Sequence, residues 1–102
     1  METDPAPLFV VLLKFSENKA LASQFMEGHK QWLKRGFDDG VFLVAGSLES
    51  GLGGGIMAHN TSRDELHERV NEDPFIAEKV VSAELIEISP ARADARLQFL
   101  LG

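Results

Sequence analysis

The chain has no cysteine. Disulfides, thiolate nucleophiles, thiolate zinc sites and iron–sulfur clusters are therefore excluded, and the fold stands without covalent staples. It also lacks a basic surplus: ten Lys and Arg face sixteen Asp and Glu, a formal charge of −6, with no clustered cations. Affinity for nucleic acid comes largely from neutralised phosphates, so no nucleic-acid partner is expected, and an acidic membrane surface would repel the chain. There is no long hydrophobic run. The most apolar stretch covers residues 8–13, against the roughly twenty residues a membrane-spanning helix needs. The opening METDPAP lacks the basic flank of a secretory signal. These absences predict a soluble, cytoplasmic protein. At 102 residues and 44% apolar content it should form one small domain, which buries roughly two-thirds of its unfolded surface.

What is present is ordered. Leu8–Phe15 is short, β-branched and aromatic, and apolar at both parities, the pattern of a strand buried on two faces. From Lys19 to Phe37, Leu21, Phe25, Trp32, Leu33 and Phe37 recur at helical steps, predicting an amphipathic helix capped near Ser16 or Asn18. Asp38-Asp39-Gly40 is a turn, and Val41–Gly46 a second strand without polar alternation. Glu49–Gly53 reads as a hairpin loop and Gly54–Asn60 as its return strand. Thr61-Ser62 with Asp64 and Glu65 behind it predicts a capped second helix running to Asp73-Pro74. A short helical turn follows over Phe75–Lys79, then a last strand over Val80–Ile88.

The order β-α-β-β-α-β is that of a ferredoxin-like α+β domain over residues 1–90: one antiparallel sheet with both helices on one face. Two helices cover one side of such a sheet, yet the first two strands are apolar at both parities. A second copy supplying the same face is the simplest cover, so a homodimer is expected. Residues 91–102 form a tail that suits an edge strand or a short helix, and packing on the dimer partner is one placement for it.

His29 is the most informative residue. Counted from Leu21 at about 100° per residue, Phe25, His29, Trp32 and Gly36 all fall within about 80° of it, so the imidazole points toward the sheet. Two ring nitrogens must then be satisfied, and a near-neutral pKa makes histidine a proton carrier when a carboxylate orients it. The bland alternative is a satisfied core histidine. Asp73, in an Asp-Pro break beside the sheet, is such a carboxylate, or simply a turn former. Ser47 ends the second strand and would complete a nucleophile, base and orienter set with His29 and Asp73. No nucleophile elbow surrounds it, which favours an ordinary strand-end hydroxyl. The glycines of 51–55 lack the Lys-Ser or Lys-Thr of a phosphate cradle and suit a loop that lets a ligand approach backbone. His59 and His67 have no metal-ligand spacing, so no metal site is expected, and no dinucleotide fingerprint or other cofactor motif is present.

His29 with Leu33, the Gly40 turn, Ala45-Gly46-Ser47-Leu48, the glycines before Ile56-Met57, and Asp73-Pro74-Phe75 together resemble the YciI-like (YCII-related) family of dimeric α+β barrel proteins, over roughly residues 8–90. The family commonly has proline where this chain has Ser47, and commonly ends soon after the last strand. The resemblance implies a His–Asp dyad, His29 and Asp73, working without an organic cofactor in a pocket. Ser47, Gly46, Gly54, Gly55 and Phe75 are the expected substrate-binding residues. Two functions follow. One is a small-molecule enzyme using the dyad for general acid–base elimination, isomerisation or hydrolysis of a small carbonyl or cyclic compound. The other is a non-catalytic ligand-binding or protein-interaction module on the same scaffold.

Overall fold

The computed structural model describes residues 7–101; residues 1–6 of the expected domain and Gly102 of the expected tail lie outside the described residues. In chain order it forms β1 (Leu8–Phe15), α1 (Ala22–Asp38), β2 (Phe42–Ser47), β3 (Gly53–Ala58), α2 (Arg63–Asn71), α3 (Pro74–Ala77) and β4 (Val81–Ile88). Single 3-10 turns occupy Lys19–Leu21 and Glu49–Gly51, and a longer one Ala95–Leu101. The strands make one antiparallel sheet in the order β2-β3-β1-β4, the ferredoxin-like α+β arrangement. No helix among the described residues is long and apolar enough to cross a membrane.

β1 is central, hydrogen-bonded to β3 and β4, and its two apolar parities face opposite sides of the sheet. Phe9, Val11 and Leu13 point to the inner face and join Ile56, Ala58, Phe42 and Val81 beneath Trp32, Leu66, Val70 and Phe75 of the helices. The other parity makes an outer row. Val44 stands opposite Met57, Met57 opposite Val10, and Val10 opposite Ile86, so the row crosses all four strands. Its ends, Val44 and Ile86, are 51% and 41% exposed.

Local chemistry fixes the joints, and it corrects the expected cap of the first helix. Neither Ser16 nor Asn18 caps α1. The Ser16 hydroxyl donates to the Lys79 carbonyl (2.6 Å) and the Asn18 amide donates to the same oxygen (3.2 Å), tying the end of β1 to the chain that leads into β4. A 3-10 turn fills the gap and α1 begins at Ala22. Leu21 lies in that turn, out of phase with the helix, and is exposed; so is Phe37 in the last turn. Ser62 caps α2 as predicted: its oxygen accepts from the Glu65 N–H (3.1 Å) and its hydroxyl donates to the Glu65 carboxylate (3.0 Å). Gly53, at φ +145, passes so close to β1 that an added Cβ would lie 1.9 Å from the Leu13 carbonyl oxygen, so only glycine fits.

The tail takes the helical alternative over Ala95–Leu101 and folds against its own chain. Leu100 is buried, and the Phe99 ring meets His59 edge-on at 5.4 Å.

Candidate active site

On α1, Met26, His29, Lys30 and Leu33 follow the i, i+3, i+4, i+7 spacing of one helix face, and all four line a cavity of about 300 Å³ beside the sheet. The cavity continues onto Leu13, Ile56 and the Ala45-Gly46-Ser47 end of β2. Leu13 pairs with Gly54, and Gly54 with Ser47. Gly54 therefore occupies an inner-face position, where its missing side chain deepens the floor. Gly55 borders the same space, and Phe75 and Val81 close it from the side. Of the expected binding residues, Ser47, Gly46, Gly54, Gly55 and Phe75 all border this one cavity.

Asp73 lies behind it, fully buried. The sequence places it there in two steps. α2 stops at Asn71, and Asp73 then begins α3, with Pro74 in the first helical position where its missing N–H costs nothing. α1 approaches this point closely at Gly28, where an added Cβ would come 3.0 Å from Pro74 Cγ. That approach brings His29 Nδ1 to 2.8 Å from Asp73 Oδ1. The same oxygen accepts the Phe75 N–H at 3.0 Å, so one carboxylate oxygen both caps α3 and holds the imidazole.

The ring is fixed on its face as well. Phe75 stacks on His29 with centroids 4.0 Å apart and planes 4° from parallel, and Trp32 follows at 5.7 Å and 27°. Nε2 has no hydrogen-bond partner among the described residues, while His29 borders the cavity. A neutral imidazole that donates Nδ1–H to Asp73 carries its lone pair on Nε2, the atom left for a ligand. Asp73 Oδ2 is buried and without a hydrogen-bond partner among the described residues. Both contacts of the Asp73 carboxyl, to the Phe75 backbone N–H and to the imidazole, thus run through the one oxygen Oδ1.

Trp32 is core, donating its indole N–H to the Arg69 carbonyl at 2.8 Å, and Phe75 is both core and cavity wall. His59 and His67 stand apart from the cavity, and among the described residues no three His, Cys, Asp or Glu gather in a metal-binding group. Sequence reasoning missed Met26, which lies beside Phe25 off the counted stripe, and Lys30, because a hydrophobic-stripe count skips a lysine. The readable signal was the spacing of 26, 29, 30 and 33 around the histidine, with the helix-interior Gly28 beside it.

No family model matches the chain, and no curated protein matches it in sequence. Among solved structures it is similar to 5-chloro-2-hydroxyhydroquinone dehydrochlorinase from Burkholderia phenoliruptrix AC1100, in complex with 2,5-dihydroxybenzoquinone. The TM-score is 0.66 at 18% identity, over 78% of this chain and 90% of that one. At that identity the likeness establishes a shared α+β fold.

Proposed function

We propose that the chain is a small-molecule enzyme of the YciI-like type, in which His29 moves a proton and Asp73 holds its tautomer. The observation that carries this is the 2.8 Å contact between His29 Nδ1 and a fully buried Asp73, with Nε2 left unbonded beside a cavity. Nε2 removes a proton from the carbon next to a carbonyl; in elimination the freed electron pair forms the new double bond as the leaving group on the adjacent carbon departs with its own bonding pair, and in isomerisation it forms an enolate with no group lost. The imidazolium, stabilised by Asp73, then returns the proton to the departing group or to another carbon. Elimination or isomerisation of a small cyclic compound fits this sequence. A neighbour named as a dehydrochlorinase lends weight to elimination.

The test is proton exchange and turnover in D2O, followed by NMR, over a panel of small cyclic ketones, lactones and hydroxyquinones. Wild type is expected to exchange or eliminate at least one of them, and Asp73→Asn and His29→Gln to slow that reaction by about 10²–10⁴-fold. Compounds that bind without reacting would leave a non-catalytic binding module, and reaction at equal rates in both variants would remove His29 and Asp73 from the chemistry.

The same reading includes a homodimer in which a second copy covers the outer apolar row. Val44 and Ile86, half exposed at its two ends, support it. Sedimentation at micromolar concentration should give twice the chain mass, and Val44→Glu with Ile86→Glu should halve it. A wild-type mass of one chain contradicts the dimer.

A further inference from the structure

The cavity runs against the charge of the whole molecule. The chain carries −6, yet among the described residues no aspartate or glutamate lines the cavity, and the only charged or titratable side chains that do are His29 and Lys30. Among the described residues Lys30 makes no ion pair, in common with Lys19, Arg35, Lys79 and Arg92, and of these five it is Lys30 that lines the cavity. It stands one residue after His29 and four after Met26, on the helix face turned to the cavity.

The walls limit the shape of a ligand as the charge limits its sign. About 300 Å³ is at the lower end of the roughly 300–1,000 Å³ of small-molecule sites, room for a single ring with its substituents. Leu13, Met26, Leu33, Ile56 and Phe75 supply apolar surface, and the one polar floor group with a side chain is the Ser47 hydroxyl.

Building on the proton-transfer reading, we propose that the site takes a single-ring compound bearing a negative charge, and that Lys30 is the residue that selects for that charge. The ring lies on the apolar walls with its anionic oxygen toward the Lys30 ammonium, which sets the reacting carbon within reach of His29 Nε2. An ammonium is a strongly hydrated point charge on a flexible stem, so it can reach an anion at the mouth of the cavity without itself being buried. Lys30 is thus a specificity-determining residue; it takes no part in the proton transfer.

The test is equilibrium binding of benzoate and its neutral counterpart benzamide at pH 8, by chemical-shift titration of the intact protein. Benzoate is expected to bind about tenfold more tightly than benzamide, with the preference falling as salt rises. Lys30→Met should abolish the preference and leave benzamide binding unchanged, while Lys30→Arg should retain most of it. Equal affinities in wild type, a preference that survives Lys30→Met, or no saturable benzoate binding at millimolar concentration would each overturn the proposal. Because this readout needs no turnover, it fails separately from the catalytic reading. A charge preference carried by Lys30 in a protein that never exchanges a proton would leave the ligand class standing and remove the enzyme.

Discussion

One turn of α1 separates two ways of using an aromatic ring. At Trp32 the inner layer is closed: the indole is 1% exposed, its N–H is bonded to the Arg69 carbonyl, and the Phe42 ring meets it edge-on at 5.2 Å. Gly36, one turn further, has the Phe42 ring where its Cβ would be, only 2.1 Å away. At His29 the same stripe opens into a cavity, and among the described residues one ring nitrogen is unbonded and the carboxylate behind it has an oxygen without a partner. The closed half meets every donor and fills its space. The open half holds a buried carboxylate and a titratable ring in fixed geometry with room beside them, an arrangement that adds little to stability and suits chemistry.

The sharpest way to break this contrast is at the closed end. Trp32→Ala should cost about 3–5 kcal/mol, as for large aromatic truncations in cores, read as a lowered denaturation midpoint. A loss under about 1 kcal/mol would mean that this half is not close-packed. Gly36→Ala should destabilise by about 1–3 kcal/mol through overpacking against Phe42, whereas Gly46→Ala, where nothing lies within 4 Å of an added Cβ, should be nearly neutral in stability.

The open half should respond less in stability and more in rate. His29→Ala leaves Asp73 without its side-chain partner and should cost about 1–3 kcal/mol, so its kinetic effect is mixed with a stability effect. Asp73→Asn is cleaner, because the amide oxygen can still accept the Phe75 N–H. It should lower stability by less than about 1 kcal/mol while removing most of the proton-transfer rate. If it unfolds the protein with the severity of Trp32→Ala, Asp73 is a structural cap and the contrast collapses. The smallest effect belongs to Asp94, whose exposed carboxyl is held below its usual range by hydrogen bonds from the Arg96 side chain and N–H. The contribution of that contact is present at neutral pH and fades as acid protonates the carboxyl. Asp94→Asn should leave the melting midpoint unchanged and speed hydrogen exchange only in residues 95–101.

Much of this was legible before any coordinates. The doubly apolar β1 and β2, the Ser62 cap and the Asp-Pro break follow from side-chain parity, hydroxyl capping and the fixed φ of proline, all of which act within a few residues. His29 could be aimed at the sheet because helical phase is local and reliable between positions 25 and 36. The start of α1 was not legible, since Ser16 and Asn18 have cap chemistry but spend it on the Lys79 carbonyl, 63 and 61 residues away. Nor was the tail, whose apolar residues suit either parity and whose conformation is set by Leu100 finding a buried site and Phe99 a histidine. Lys30 was missed for a different reason: a surface lysine and a ligand-binding lysine look alike until the cavity beside them is known.

The central claim is that Asp73 fixes His29 as the Nδ1–H tautomer and leaves Nε2 free to take a proton. Histidine ring 15N NMR on uniformly labelled protein tests it directly, since protonated and lone-pair nitrogens have distinct shifts. At a pH where the ring is neutral, the account predicts a His29 Nδ1–H and an unprotonated Nε2, with the tautomer becoming mixed in Asp73→Ala, which removes the acceptor. A His29 that is Nε2–H in wild type, or whose tautomer is unaltered by Asp73→Ala, would contradict it.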